Sequence, residues 1–578
     1  MHYLQRSIFG GPEASPKKTL TNFWLIMWAS ALALGWLLPN HYLPWPSFHL
    51  ETWVAIFLSG VTVAVLVRVP GKTTITGIAL LTAAIAFTPF AQYAAGMQPL
   101  IGSVWVVTTY LLGFLLAMMV GARWESASPG QLADGLFLAI GIAAILSVGL
   151  QLHQWFGLDR LFLWDMGSTP ARPFANFGQP NLLATFLLWG LLAAAWGLQR
   201  KYIGISGALF LALYLLFGLA LTGSRTAWIA VMLAVVAAWY WRGLWRGRLT
   251  PWLVLSLSGY FAVSVYAKGW VRGLLLLGDI EDVARIASET RPQVWALFID
   301  AIQQRPLFGY GWGQIARAHL EVAENHPPLN ILFSHSHNII LDLVLWCGLP
   351  LALILCATLI WWFLRSFRAV KRPEEVLLLL FVVVVVNHAM LEYPLSYAYV
   401  LLPLGLVIGV LDVRLAAPSW QVGGRWVMVF LWAISTLLLS LIILDYSRVE
   451  SSYLALRFEL ANFQISTPKE PPDVLLLTQL REMIRYSRFE PHRGMSSDEL
   501  NWMLSVANLY PGPGIVHKLA AALAWNGRPE DAQLWLRRMC KMVPAEQCDA
   551  VRKAWVNQAV NDPDIRAAPW PETDKLGN

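Results

Sequence analysis

Thirteen predominantly apolar stretches recur along this chain of 578 residues, near 22–39, 51–69, 74–91, 99–121, 134–151, 181–198, 203–221, 226–241, 251–267, 338–363, 376–392, 396–413 and 426–444. About twenty helical residues cross the hydrocarbon core of a bilayer, and most of these stretches are close to that length. The expected fold class is an all-α polytopic membrane protein with about 13 transmembrane helices. Composition points the same way: 57% of residues are hydrophobic and 13% are charged, whereas soluble domains carry about a quarter charged residues. The 30 tryptophans suit a chain that meets the membrane–water boundary many times.

The net charge of +7 is therefore read by position, and nucleic acid is not an expected partner. One set of connecting loops holds Lys17, Lys18, Arg68, Lys72, Arg123, Arg200, Lys201, Arg242, Arg246 and Arg248. It continues through Arg365, Arg368, Lys371, Arg372, Arg414 and Arg425. The alternate short loops 40–50, 92–98 and 393–395 contain no Lys or Arg. Basic residues collect on the cytoplasmic side, which predicts a cytoplasmic N-terminus, residues 1–21. An odd number of spans puts the tail on the other side. The polar start has no cleavable-signal layout, so the first apolar segment is expected to stay as an anchor. The expected organisation has N-terminal spans over 22–267 with an outer loop 152–180, and a large outer loop 268–337. C-terminal spans over 338–444 and a soluble domain over 445–578 complete it.

Long loops usually carry function. The tail stretch "HKLAAALAWNGRPEDAQLWLRRM" reads as helix, Gly-containing turn, helix, a hairpin of tetratricopeptide type. Of four cysteines, Cys347 and Cys356 lie in an apolar run and read as packing residues. Cys540 and Cys548 can form a disulfide if the tail is extracytoplasmic.

Charge in or beside a membrane is costly and marks candidate sites. Arg225, in "LTGSRTAW", sits at the outer face with no carboxylate in its short loop. It reads either as a side chain reaching lipid phosphate or as an anion clamp. Arg291 opens the segment "RPQVWALFID", whose Val294, Leu297, Phe298 and Ala301 recur at helical spacing. It can hold phosphate at a helix N-terminus or pair with Glu289 or Glu281. Arg172, in "ARPFANFGQPN", is a further candidate.

"FSHSHNII" places His335 and His337 just before a span. Metal would need further ligands, and neither His319 nor His326 stands at a recognisable ligand spacing. His337 can accept a proton from a hydroxyl or simply cap the helix, a role for which Asn338 is equally suited. Asp342 and Glu392 can orient the histidine, hold a sugar hydroxyl or pair with an arginine.

The set "NFGQPNLLA", "LTGSRTAW", "SHSHNIILDLVLWCGLP" and "LEYPLSYAYVLLP" resembles the bacterial O-oligosaccharyltransferases that glycosylate pilins and other exported proteins, within the superfamily of O-antigen ligases and polymerases. His337-Asn338, nine residues, then Gly348 resembles the ligase signature around its essential histidine. The resemblance implies a GT-C type glycosyltransferase that moves a glycan en bloc from undecaprenyl pyrophosphate to a serine or threonine hydroxyl. It further implies a periplasmic active site at the bacterial inner membrane. By motif match His337 takes the essential histidine's place, and Arg225 and Arg291 the places of pyrophosphate-holding arginines. Arg172, Asn176, Gln179, Asn338, Asp342 and Glu392 are expected to contact substrate. No cofactor is expected, and transfer is expected to be metal-independent. The partners implied are the lipid-linked oligosaccharide, a pilin-like acceptor and membrane lipids. An O-antigen ligase or polymerase is the alternative, and a transporter or flippase without chemistry is a third.

Overall fold

The computed structural model describes residues 26–69, 72–158, 164–167, 171–245, 249–275, 277, 291–422, 424–463 and 470–571. Lys17, Lys18, Arg246, Arg248, Glu281 and Glu289 lie outside them. A helix falls on each of the thirteen apolar stretches: α1 (26–34), α2 (Phe48–Arg68), α3 and α4 (Gly77–Ile85, Thr88–Ala94), α5 (Ile101–Ala127), α6 (Gln131–Trp155), α7 (Pro180–Gln199), α8 (Ile205–Leu221), α9 (Arg225–Tyr240) and α10 (Pro251–Leu274). Two helices, α11 (Arg291–Gln304) and α12 (Ile315–Val322), come next. They are followed by α13 (Ile339–Ala369), α14 (Pro373–Ala389), α15 (Ala398–Arg414) and α16 (Trp426–Leu460). Among the described residues seven helical segments are long and apolar enough to cross a membrane, and α8 and α9 are shorter apolar helices. The chain is a helical, multi-pass membrane protein.

Two helices run past the ends their hydropathy suggests. α10 continues to Leu274 rather than stopping at 267, and α16 runs 35 residues to Leu460 rather than to 444. Hydropathy marks where an apolar surface ends, whereas backbone hydrogen bonding carries a helix on into water. At about 1.5 Å per residue α16 is roughly 50 Å long. Beyond its apolar part Asp445 accepts the N–H groups of Leu475, Leu476 and Leu477, which pins the returning chain.

Close packing in the bundle comes from small residues. Gly405 and Gly409 of α15 lie against Ala117 and Met118 of α5, and a Cβ at Gly409 would collide with the Met118 carbonyl. Such spacing lets helix backbones approach each other in lipid. Basic residues gather at one end of the bundle. There Arg123 donates to the Val69 carbonyl (2.6 Å), Arg200 pairs with Asp134 (2.9 Å) and Arg414 pairs with Glu125 (2.7 Å). A two-stranded antiparallel ribbon, Thr73–Thr76 with Ser419–Val422, closes the same end.

At the other end α11 and α12 form a small core with Val294, Leu297, Phe298 and Ala301 turned inward, as their spacing predicts. The C-terminal helices are α17 (Thr478–Arg488), α18 (Ser497–Leu509), α19 (Pro513–Trp525), α20 (Pro529–Met542), α21 (Ala545–Asn561) and α22 (Pro563–Ala567); α18–α22 share a core with Tyr486 of α17, whose Leu480 and Ile484 pack instead with Ile442, Tyr446 and Val449 of α16. The hairpin read from sequence is α19–α20, turning at Gly527 with φ +76°. Cys540 and Cys548 are disulfide-bonded. Leu320 of α12 and Ala323 just after it belong to this second core, and Glu324 pairs with Arg537 (2.8 Å).

Candidate active site

The turn before α13 is built by its own side chains. Asn338 is the N-cap, its Oδ1 accepting from the N–H groups of Ile340 (3.0 Å) and Leu341 (3.3 Å). Asp342, one turn into the helix, accepts from the Ser336 N–H (2.7 Å) and hydroxyl (2.5 Å). These bonds hold His337 at φ +59°, a left-handed conformation that non-glycine residues adopt only where surroundings impose it. The two histidines therefore diverge. His335 lies 3.4 Å from Asp342, an ion-pair distance rather than a well-formed hydrogen bond, and stacks on Tyr393 (4.4 Å, 13°). His337 presents Nδ1 to Glu392 at 3.3 Å and meets Tyr393 edge-on at 5.4 Å.

Glu392 is the hub. It is buried in the turn after α14 and accepts from Gln179 Nε2 (3.0 Å), Asn181 Nδ2 (3.0 Å) and Arg291 Nη2 (2.9 Å), besides His337. Gln179 and Asn181 flank the first residue of α7, and Arg291 opens α11. Three separate segments thus converge on one carboxylate. Burial alone would raise its pKa. The His337 contact and the charges of His337, His388 and Arg291 outweigh burial and hold it at about 2. Glu392 is therefore ionised, and it presents negative charge to the Nδ1 edge of His337. That ring is a quarter exposed, and among the described residues no hydrogen bond occupies its Nε2.

Cations ring the adjoining turn. Arg172 donates from Nε to the Thr222 carbonyl (3.1 Å) and reaches Asn181 Oδ1 at 3.4 Å. Arg172 Nε and Lys268 Nζ each stand 3.5 Å from where a Cβ on Gly223 would lie. Arg225 begins α9, is exposed, and among the described residues has no side-chain partner. The turn is tied to the hub through Asn387, whose Nδ2 donates to the Thr226 carbonyl (3.0 Å).

The structure thus brings Arg172, Gln179, Arg291, His337 and Glu392 into one network with Arg225 at its edge. It gives other work to two expected substrate contacts. Asn176 is buried with its amide fully used, donating to the carbonyls of Leu37 and Trp164 and accepting from Met166 N–H. It locks the loop before α7, while the Asn338 amide oxygen is spent on the cap. Asp342 braces the turn behind His335. Arg291 pairs with Glu392, a partner far away in sequence. His326 pairs with Asp300 (3.0 Å), and His319 packs against Phe298 and Phe333, with burial pushing its pKa down to about 4. Among the described residues no group of three or more His, Cys, Asp or Glu is arranged to hold a metal ion.

Sequence reasoning missed Asn181, Tyr393 and His388, whose Nδ1 lies 2.8 Å from the Thr185 hydroxyl. A signal existed for the last: Asn387-His388 interrupts an unbroken valine run, and polar residues inside apolar runs are functional candidates.

Fork-shaped cations beside a carboxylate-backed histidine can hold a phosphate-bearing group and orient a hydroxyl toward it. Set in a bundle of apolar helices, this arrangement is of the kind a membrane-embedded transferase needs. Residues 209–356 match the O-antigen ligase family model, 173–196 the protein glycosylation ligase model, and 376–558 the C-terminal model of virulence factor membrane-bound polymerases. The chain is 29% identical over 525 residues to a general O-oligosaccharyltransferase of Acinetobacter baylyi, covering 88% of this chain and 90% of that protein. It is 25% identical over 337 residues to a ComP-specific O-oligosaccharyltransferase of the same organism, covering 57% of this chain and 60% of that protein. The chain is thus similar to O-oligosaccharyltransferases and to the O-antigen ligase family, and is a glycosyltransferase. The site is assembled from all three matched segments: Gln179 and Asn181 from one, Arg225, Arg291 and His337 from another, and Glu392 from the third.

Proposed function

We propose that this protein transfers an oligosaccharide en bloc from undecaprenyl pyrophosphate to a serine or threonine hydroxyl of an exported, pilin-like protein. The reading rests on the convergence of Gln179, Asn181, Arg291 and His337 on Glu392. His337, held at Nδ1 by Glu392, takes the acceptor hydroxyl's proton at Nε2 as that oxygen attacks the anomeric carbon. The bond from that carbon to the pyrophosphate oxygen breaks, and the leaving pyrophosphate keeps the electron pair. Arg225 and Arg291, with Arg172 and Lys268 nearby, balance its charge, so the transfer needs no metal ion. Glu392 meanwhile steadies the imidazolium that forms.

The reaction belongs at the periplasmic face of the inner membrane, with thirteen spans and a cytoplasmic N-terminus. Basic residues at the bundle end away from the site support that orientation, as does the disulfide in the tail. Residues 445–578 form the periplasmic domain, whose α19–α20 hairpin of tetratricopeptide type suits docking of a protein acceptor. The family matches to ligases and polymerases support a second reading, with lipid A core or a growing glycan as acceptor.

Co-expression with a pilin-like acceptor and a lipid-linked glycan, read by intact mass of the acceptor, separates the two. A glycan-sized increase is expected, falling about 10²–10⁴-fold in rate in His337→Ala. An unmodified pilin beside glycan-capped lipid A would move the assignment to the ligase reading.

A further inference from the structure

The segment from Leu329 to Ser336 leads straight into the turn that carries His337 and belongs to no helix or strand. It is held at both ends: Leu329 N–H donates to the Lys541 carbonyl (3.0 Å), and Ser336 is fixed by Asp342. Between them Phe333 is buried against Phe298 and His319, and its ring meets that of His337 edge-on at 5.8 Å. Yet among the described residues no backbone N–H or C=O from Asn330 to Ser334 has a hydrogen-bond partner in the protein. Every backbone N–H and C=O needs a partner, so this pinned run presents a row of open donors and acceptors.

Open backbone alone is met by water, and two further observations point to a polypeptide. Ile331 is 44% exposed and Leu332 39%, so apolar side chains that water does not satisfy flank the open row. Residues 329–336 also contain no lysine, arginine, carboxylate or proline. Proteins blunt an open edge with such residues to stop other chains pairing with it, and this edge is left unblunted. It ends at the site. A strand laid along Asn330–Ser334 runs toward His337, which lies three residues beyond Ser334, or about 10 Å at 3.3 Å per residue. At its other end the edge abuts α20 through Lys541, so a protein docked on the C-terminal helices can lay an extended segment along it. We infer that Asn330–Ser334 is the acceptor-docking edge. The stretch that carries the serine or threonine binds there in extended form, backbone to backbone, with its apolar side chains against Ile331 and Leu332. Main-chain pairing supplies affinity with little demand on sequence. The inference rests on the glycan-transfer reading for the acceptor's being a protein.

The test uses the full chain in nanodiscs with a lipid-linked glycan, the intact pilin-like acceptor and a short peptide centred on the acceptor's modified serine. Single backbone N-methylations are walked along the peptide, each removing one donor. Methylation at alternate positions should raise KM about tenfold, and at the positions between less than about twofold. A flat profile overturns the proposal. So does a peptide left unmodified while the intact acceptor is glycosylated, which would mean that a folded surface is read. On the enzyme, Leu332→Lys blunts the edge, with Ile331→Thr as the milder variant. Each should raise KM for the acceptor, Leu332→Lys by about tenfold, and leave KM for the lipid-linked donor unchanged. Equal changes for donor and acceptor, or none, overturn the proposal. Benzoylphenylalanine in place of Leu332 should cross-link the peptide on irradiation, whereas cross-links to lipid alone or to a second copy of the chain overturn the proposal. If the peptide cross-links there yet neither it nor the intact acceptor receives glycan, the transfer reading fails and the peptide edge stands.

Discussion

Glu392 collects an arginine, a histidine and two amides on one buried carboxylate, and its behaviour follows from those donors. Its folded pKa, about 2, lies below the ordinary 4.5. The group therefore stabilises the fold fully above pH 4.5, and that contribution is lost as pH falls from 4.5 toward 2. Thermal unfolding of the purified protein should show this loss between about pH 4.5 and 2, and Glu392→Gln should flatten it. If the variant keeps the parent's acid sensitivity, other carboxylates are responsible. Glu392→Gln preserves the shape of the network but removes the charge facing His337, so the transfer rate should fall about 10²-fold at neutral pH. A rate within threefold of the parent would mean His337 works without its carboxylate. At Arg225, Lys keeps the charge and loses the fork, so Arg225→Lys should cost about 1.4 kcal/mol or more of donor binding, roughly tenfold in KM. Full activity in that variant would exclude bidentate phosphate binding there.

At the scale of the element, α13 explains a spacing that sequence could only match to a pattern. Asn338 starts the helix, and after nine intervening residues Gly348, at φ +77°, interrupts it. A Cβ at Gly348 would collide with the Leu307 carbonyl. Around this gap Leu349 N–H donates to the Pro306 carbonyl (2.8 Å) and Tyr310 N–H to the Leu345 carbonyl (2.6 Å). The interruption is thus the seat on which the segment between α11 and α12 rests, and α11 carries Arg291. Gly348→Ala should destabilise by about 1–3 kcal/mol from its backbone conformation alone. It should also raise hydrogen exchange in residues 305–310 while leaving α7 unchanged. Uniform exchange across the chain would show general unfolding instead. Helix positions were legible because apolar length reports burial in lipid directly. The interruption was only hinted at by Gly348 and Pro350 within the apolar run, since its reason is a neighbour about forty residues upstream, Leu307.

For the whole molecule, the arrangement that matters is the docking of the C-terminal helices on α12. Leu320 is buried in their core, and Leu329 N–H donates to the Lys541 carbonyl (3.0 Å). Surface ion pairs such as Glu324–Arg537 contribute about 0–1 kcal/mol, so the apolar contact dominates. Leu320→Glu should release α18–α22 as a protease-sensitive unit, seen as a discrete fragment in limited proteolysis, while α17 stays packed on α16 through Leu480 and Ile484. A digestion pattern identical to the parent's would place the holding contacts elsewhere. From sequence alone came the helical membrane bundle, the grouping of basic loops, the soluble helical tail and a short set of charged candidates. Each is set by local quantities: apolar length, charge position and turn residues. Pairing was beyond it. The sequence named Glu281 and Glu289 for Arg291 and an unspecified arginine for Glu392 without joining the two, and could not separate a substrate-facing Asn176 from one locked into its own loop. Those choices depend on which helix ends meet, and such meetings are decided by close packing of small residues between distant helices and by the cost of leaving a buried charge without a partner.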